Sequence, residues 1–194
     1  MAVNLSKGQK ISLDKGMTLA LVGLGWDTNR YSGGAEFDLD ASAFLLGANG
    51  KVRKVEDFIF YGNLKSADGS VTHTGDNRTG EGEGDDEVLY IDFTKVPADV
   101  ERIAITVTIY EAQERGQNFG QVSNAYVRLA RRSSENDSVG TEELRYDLGE
   151  DFSVETALVV CELYRSGATW KFNAVGAGYQ GGLYALCKAY GVNV

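Results

Sequence analysis

The chain has a single proline, Pro97, and a single histidine, His73, in 194 residues. With so little proline, tight turns fall to glycine, asparagine and aspartate, and 24 glycines are present to help make them. One histidine cannot supply an imidazole-rich zinc site. No Ser-His-Asp or Cys-His set can be assembled around it, so it reads as a structural or exposed strand residue. Cysteine is also scarce. Cys161 and Cys187 make no disulfide framework in a chain of this length, and both are expected as buried thiols in a reducing compartment. Positive charge is in deficit: 19 Lys and Arg face 28 Asp and Glu, a net charge of −9, which argues against binding phosphate backbones and so against a nucleic-acid partner. No run reaches the roughly 18 apolar residues of a membrane span. Asn4, Ser6, Lys7 and Gln9 interrupt any apolar leader. The expectation is therefore a cytoplasmic protein with no direct membrane insertion, acting as a monomer.

What is present is patterning for strands. Apolar residues make up 43% of the chain, and no linker-like stretch divides it, so residues 1–194 are expected to form one domain. Arg102–Tyr110 alternates most cleanly, with Ile103, Ile105, Val107 and Ile109 on one face. Thr18–Leu24 is almost continuously apolar and delivers Trp26 and Asp27 to its far end. Gln9–Leu13 and Met17–Trp26 read as a hairpin around Asp14-Lys15-Gly16. Asp38–Leu46 reads as a strand with Asp38, Asp40 and Ser42 on one face, and Pro97–Glu101 as one helical turn. Gly182–Tyr190 reads as a C-terminal helix with Leu183, Leu186 and Cys187 inward. About ten strands without α/β alternation predict a mainly β fold, a β-sandwich of two antiparallel sheets with a few short helices.

The chemistry concentrates between Gly75 and Glu87. Asp76, Glu81, Glu83, Asp85, Asp86 and Glu87 are carboxylates, Asn77 adds an amide oxygen, and Gly80, Gly82 and Gly84 interleave them. Packing like charges this closely is costly unless a cation is shared. The donors are hard oxygens, suited to Ca²⁺ with its 6–8 irregularly placed ligands. The EF-hand template fails, because counting from Asp76 puts Arg78 and Gly80 where oxygens are required. Asp27, Asp38 and Asp40 are further candidates, since one core strand ends at Asp27 and the next begins near Asp38. By spacing alone they are equally well an ordinary turn residue and two solvent-facing strand residues.

The run GDNRTGEGEGDDE at 75–87 closely resembles the signature of the TerD family of tellurium-resistance and stress proteins. So do VGLGWD at 22–27, FDLDASAFLL at 37–46, IYEA at 109–112, GAGYQGGL at 176–183 and the opening VNLSKGQKISL. The resemblance implies a compact β-sandwich that binds Ca²⁺, one or two ions, in bacterial cytosol, with no established enzymatic activity. It also implies a part in resistance to tellurite and other toxic agents, and association with other Ter-type stress proteins, membrane-bound ones included. Because the WD and DLD sequences belong to the pattern, it favours ligation by Asp27, Asp38 and Asp40. The expected ligand set is Asp27, Asp38, Asp40, Asp76, Asn77, Gly80, Glu81, Glu83, Asp85, Asp86 and Glu87, with the backbone of Gly80 included.

The alternative is a metal-dependent enzyme of phosphoryl-transfer or hydrolytic type. Such sites usually add a Lys, Arg or His for the substrate, and only Arg78 is at hand. Gly176-Ala177-Gly178-Tyr179-Gln180-Gly181 fits G-x-G-x-x-G, but no βαβ unit follows, so the glycines read as a tight strand-to-helix turn. Arg128, Arg131 and Arg132 read as a solvated face or as internal ion pairs.

Overall fold

Alternating apolar residues set the strands, and the pairing of those strands sets the architecture. The computed structural model describes residues 2–28, 36–75, 84–148 and 154–193. In chain order the strands are β1 (Val3–Asn4), β2 (Lys10–Ser12), β3 (Leu19–Gly25), β4 (Leu39–Leu46), β5 (Phe58–Ile59), β6 (Val71–His73), β7 (Glu87–Asp92), β8 (Arg102–Ile109), β9 (Tyr126–Arg131), β10 (Thr141–Asp147), β11 (Ala157–Ser166) and β12 (Thr169–Tyr179). Among the described residues two helices, α1 (Ala112–Arg115) and α2 (Gly182–Tyr190), and 3-10 turns at Val55–Asp57 and Phe119–Gln121 accompany them.

Among the described residues the strands form two sheets of six, in the orders β1-β10-β9-β3-β7-β6 and β2-β12-β11-β8-β4-β5. β1 runs parallel to β10 at one edge, and the other ladders are antiparallel. The sheets pack face to face. Val22, Leu24, Leu89 and Ile91 of the first meet Leu39, Ala41, Leu45 and the predicted row Ile103, Ile105, Val107 and Ile109 of the second. Helix α2 covers part of the second sheet's outer face, where Leu186 and Cys187 pack on Phe44, Leu46 and Ala104. Both cysteines are free and buried, as expected. None of the helices among the described residues is long and apolar enough to cross a membrane.

Several sequence expectations are corrected. Residues 9–26 do not form a hairpin. Leu13 N donates to Trp170 O, a turn closes from Met17 N to Asp14 O, and the chain crosses from β2 in one sheet to β3 in the other. Pro97–Glu101, read as one helical turn, does make a single turn, closed by Val100 N on Pro97 O at 3.0 Å. Gly176 and Gly178 lie inside β12, and the strand-to-helix turn falls at Gln180-Gly181. Gly176, at φ +58°, sits where β12 gains a residue against β11, between the pairs Cys161–Ala174 and Val159–Ala177. A Cβ there would lie 2.3 Å from the Tyr146 hydroxyl, so this glycine serves a bulge and a close approach. Asp38, just before β4, and Asp40, within it, are only 5% exposed, and the whole of β4 is buried on both faces.

Candidate functional site

Two glycines on β3 explain the local geometry. Gly23 and Gly25 pair with Arg128 and Tyr126 of β9 and present bare backbone on the outer face of the first sheet. A Cβ on Gly23 would stand 2.1 Å from Asp85 Oδ2, and one on Gly25 2.5 Å from the Tyr126 ring. Asp85 lies in the groove over Gly23. Arg128 Nε donates to its oxygens at 2.8 and 2.9 Å, and Arg128 Nη2 to Oδ2 at 2.7 Å. The Tyr126 hydroxyl donates to Gly84 O at 2.8 Å and lies 3.2 Å from Asp85 Oδ1. Burial, then the Asp85 charge, pushes that phenol up to about 12.

The next two acids point elsewhere. Asp86 turns to the end of β3, where its Oδ2 accepts from Trp26 N at 2.9 Å while Asp86 N donates to Leu24 O at 2.8 Å. Burial raises the Asp86 carboxyl above its ordinary value. The Trp26 N–H opposes this, and the nearby charges of Asp85 and Asp27 add to the rise. Asp27 is fixed by its own N–H on Ser123 O at 3.0 Å and by Asn124 Nδ2 on its Oδ2 at 2.8 Å. Asn124 adopts φ +53°, a conformation asparagine tolerates better than most residues. The Trp26 indole is buried, with Nε1 donating to Phe37 O at 3.1 Å.

Glu87 turns inward. β5 pairs only with Ala43 and Phe44, so β4 has an open edge at Ala41. Two side chains of the first sheet fill it: Glu87 Oε2 accepts from Ala41 N at 2.5 Å, and His73 Nε2 meets Ala41 O at 3.1 Å. Gly75 N donates to His73 Nδ1 at 3.1 Å, which assigns the neutral tautomer with its proton on Nε2. His73 Nε2 is also 3.5 Å from Glu87 Oε2. The lone histidine is thus a clasp between the sheets.

Asp85, Asp86 and Glu87 are consecutive in sequence but diverge in space, and only Asp86 is brought beside Asp27. Strand alternation places Asp40 on the outer face of the second sheet, where it lines a cleft with Thr108, Tyr110 and Glu111. Asp40 and Asp85 therefore sit on opposite outer faces, with two packed sheets between them, and cannot share an ion. Asp38 precedes β4 on the same side as Asp40, and its carbonyl accepts from Tyr110 N at 2.8 Å. Asp76, Asn77, Gly80, Glu81 and Glu83 lie outside the described residues. Among the described residues, His, Cys, Asp and Glu form no group of three or more that could hold a metal.

Sequence reasoning missed Tyr126, and it left Arg128 open between a solvated face and an ion pair. The signal was available in VGLGWD, since alternate glycines in an apolar strand mark a face on which another group lies. Among the three arginines, Arg128 pairs with Asp85 and Arg131 with Glu143, while Arg132 stacks 3.7 Å from the Tyr90 ring centroid.

Comparison with known proteins gives a consistent picture. The family model of the TerD domain matches residues 1–190. A tellurium resistance protein, TerD of an Alcaligenes species, is 61% identical over 196 residues, covering 100% of this chain and 99% of that protein. General stress protein 16U of Bacillus subtilis is 52% identical over 197 residues, covering 100% of each. The crystal structure of a telluride resistance protein homologue from Streptomyces coelicolor superposes with a TM-score of 0.70 at 21% identity, covering 88% of this chain and 95% of that one, a likeness of fold.

Proposed function

Because this chain belongs to the TerD domain family of tellurium-resistance and stress-response proteins, we propose that it is a calcium-dependent binding module rather than an enzyme, and that it works in the cytoplasm. The observation that carries the reading is the Asp27–Asp86 pair. Asp86 is held above its ordinary carboxyl value by burial and by its acidic neighbours. A shared cation relieves that repulsion. Both residues offer hard oxygens, which fits calcium and not a soft-ligand metal.

In this reading Asp27 and Asp86 are the fixed ligands, and Asp76, Asn77, Glu81 and Glu83 supply the remaining oxygens with the Gly80 backbone. Asp85 and Glu87 have other work, on Arg128 and on the β4 edge. Bound calcium offsets the acidic charge and ties the end of β3 to the chain entering β7. That arrangement presents one end of the sandwich to other Ter-type proteins.

Calorimetric titration with calcium tests this directly. Saturable binding is expected, and Asp86→Asn should weaken it by about tenfold or more, the loss of a charged ligand being worth at least 1.4 kcal/mol. Unchanged affinity in both Asp27→Asn and Asp86→Asn would move the ion away from this end of β3. A pull-down with and without chelator then reads whether a partner depends on the ion.

A further inference from the structure

A sheltered carboxylate persists only where charge or donors meet it. Asp85 lies over Gly23, and Arg128, the cross-strand partner of Gly23 on β9, supplies both. Its Nε donates to the two oxygens at 2.8 and 2.9 Å and its Nη2 to Oδ2 at 2.7 Å. Nη2 also donates to Val139 O at 3.1 Å, which braces the guanidinium a second time. The bond to Asp85 holds that guanidinium above its ordinary value against the pull of burial, and the Glu142 charge adds to the rise. Asp85 therefore has a counter-ion of its own within the fold.

This pair is coupled to the end of β3. The Asp85 charge reaches the Asp86 carboxyl and acts there together with that of Asp27. Whatever neutralises Asp85 therefore acts on the Asp27–Asp86 pair as well. The turn between them is held in place. The Tyr126 hydroxyl donates to Gly84 O at 2.8 Å, and Gly84 adopts φ +100°, where a side chain would be strained. Asp85 is anchored on Arg128 while Asp86 turns to Trp26 N. Toward a divalent ion at Asp27 and Asp86, Arg128 is a like charge, and it occupies a carboxylate that neighbours the site.

Building on the calcium reading above, we infer that Arg128 lowers the calcium affinity of this site and so sets its working range: it serves as the counter-ion of Asp85, and calcium competes with it for the charge of that carboxylate. A residue that only braced the turn would act in the opposite direction, since removing a brace weakens the site it supports. The sign of the change in affinity separates the two roles.

Calorimetric titration with calcium at fixed ionic strength tests this on wild type and on Arg128→Gln, whose amide can still donate to Asp85. The variant should bind calcium more tightly by about threefold or more, the order expected of one unit charge acting on a divalent ion through a well-screened medium. In chelator it should melt lower than wild type, and calcium should raise its midpoint by more. Equal or weaker binding by Arg128→Gln would overturn the inference and leave the calcium reading standing. A wild type with no saturable isotherm would overturn that reading, and the inference with it. Adding Asp85→Asn to Arg128→Gln should cancel the gain, and a gain that persists would overturn the role given to Asp85. Tyr126→Phe slackens the same turn without removing charge and should weaken calcium. Tightening equal to that of Arg128→Gln would make the effect one of loosened backbone and overturn the inference. If Arg128→Gln does not fold in chelator, Asp85→Asn decides the matter. It leaves the Arg128 charge unopposed and should weaken calcium by about threefold or more at low salt, whereas unchanged or tighter binding would overturn the inference.

Discussion

The Arg128 guanidinium holds both carboxylate oxygens of Asp85 directly over the bare backbone of Gly23. The pair is mostly sheltered, with side chains 14% and 5% exposed. Gly23→Ala must expel Asp85, and Arg128→Ala must strand it, so both break one contact. Each is expected to cost about 2–4 kcal/mol, and the double variant should cost much less than the sum. Urea unfolding of the four proteins measures this. Strict additivity would mean that the glycine and the ion pair act separately.

The clasp at Ala41 gives a second expectation. Glu87→Ala leaves the Ala41 N–H without its carboxylate and should cost about 1.5–3 kcal/mol, the range for hydrogen bonds to charged groups. Glu87→Gln keeps a carbonyl oxygen that can accept the same bond and should cost less. Hydrogen exchange at Ala41, followed by NMR, should accelerate in the alanine variant. Exchange unchanged from wild type would place the N–H in some other bond.

If calcium binds where proposed, excess calcium over chelator should raise the melting midpoint. A ligand at 100 times its dissociation constant contributes about 2.7 kcal/mol, or about 5–10 °C for a chain of this size. Magnesium should do less, because it demands tighter octahedral geometry. Equal shifts from both ions would indicate charge screening.

Terbium provides an optical version of the same test. Trp26 donates its N–H to Asp86, whereas Trp170 packs on Phe93, which follows β7 at the opposite end of the β3–β7 ladder. Excitation of the indole should therefore sensitise bound terbium through Trp26, and Trp26→Phe should remove most of the emission. Emission that survives in Trp26→Phe and disappears in Trp170→Phe would place the ion at the wrong end of the fold.

Acid should act through Asp68. Burial pushes its carboxyl up, but bonds from the Ser70 hydroxyl and N–H and the Ser66 hydroxyl, with the Arg53 charge, outweigh it and hold the group below its ordinary 3.8. A depressed carboxylate contributes stability that is complete above the unfolded value and lost as pH falls through the folded one. Melting midpoints below pH 3.8 should therefore fall less steeply in Asp68→Asn than in wild type. A steeper fall would reverse the sign.

The row Ile103 to Ile109, the helix at Gly182–Tyr190 and the division into two sheets were legible because period alone specifies them. The hairpin at 9–26 misled because a turn of Asp14 to Met17 joins strands of one sheet or of two with the same residues. Burial of Asp40 was not legible either. Alternation tells which face a residue takes, but the cover on that face comes from segments 20 and more residues away: α1, Tyr61 and the start of α2. At the acidic run, composition indicated charge density and an ion to match. It could not reveal that three neighbouring carboxylates diverge, because Arg128, Trp26 and Ala41 are drawn from three other strands or strand ends.

The crossing of β2 and β3 into different sheets has a consequence for synthesis. β2 finds its ladder partner only in β12, with Lys10 against Asn173. At roughly 5–20 residues per second, the edge formed by residues 10–12 waits until nearly the whole chain has been made. β4 and β8 can pair much earlier, and β11 must arrive before β12 can be placed. The second sheet thus grows outward from its middle and closes last at the strand translated almost first, so a ribosome stalled short of β12 holds a sheet with one edge still open.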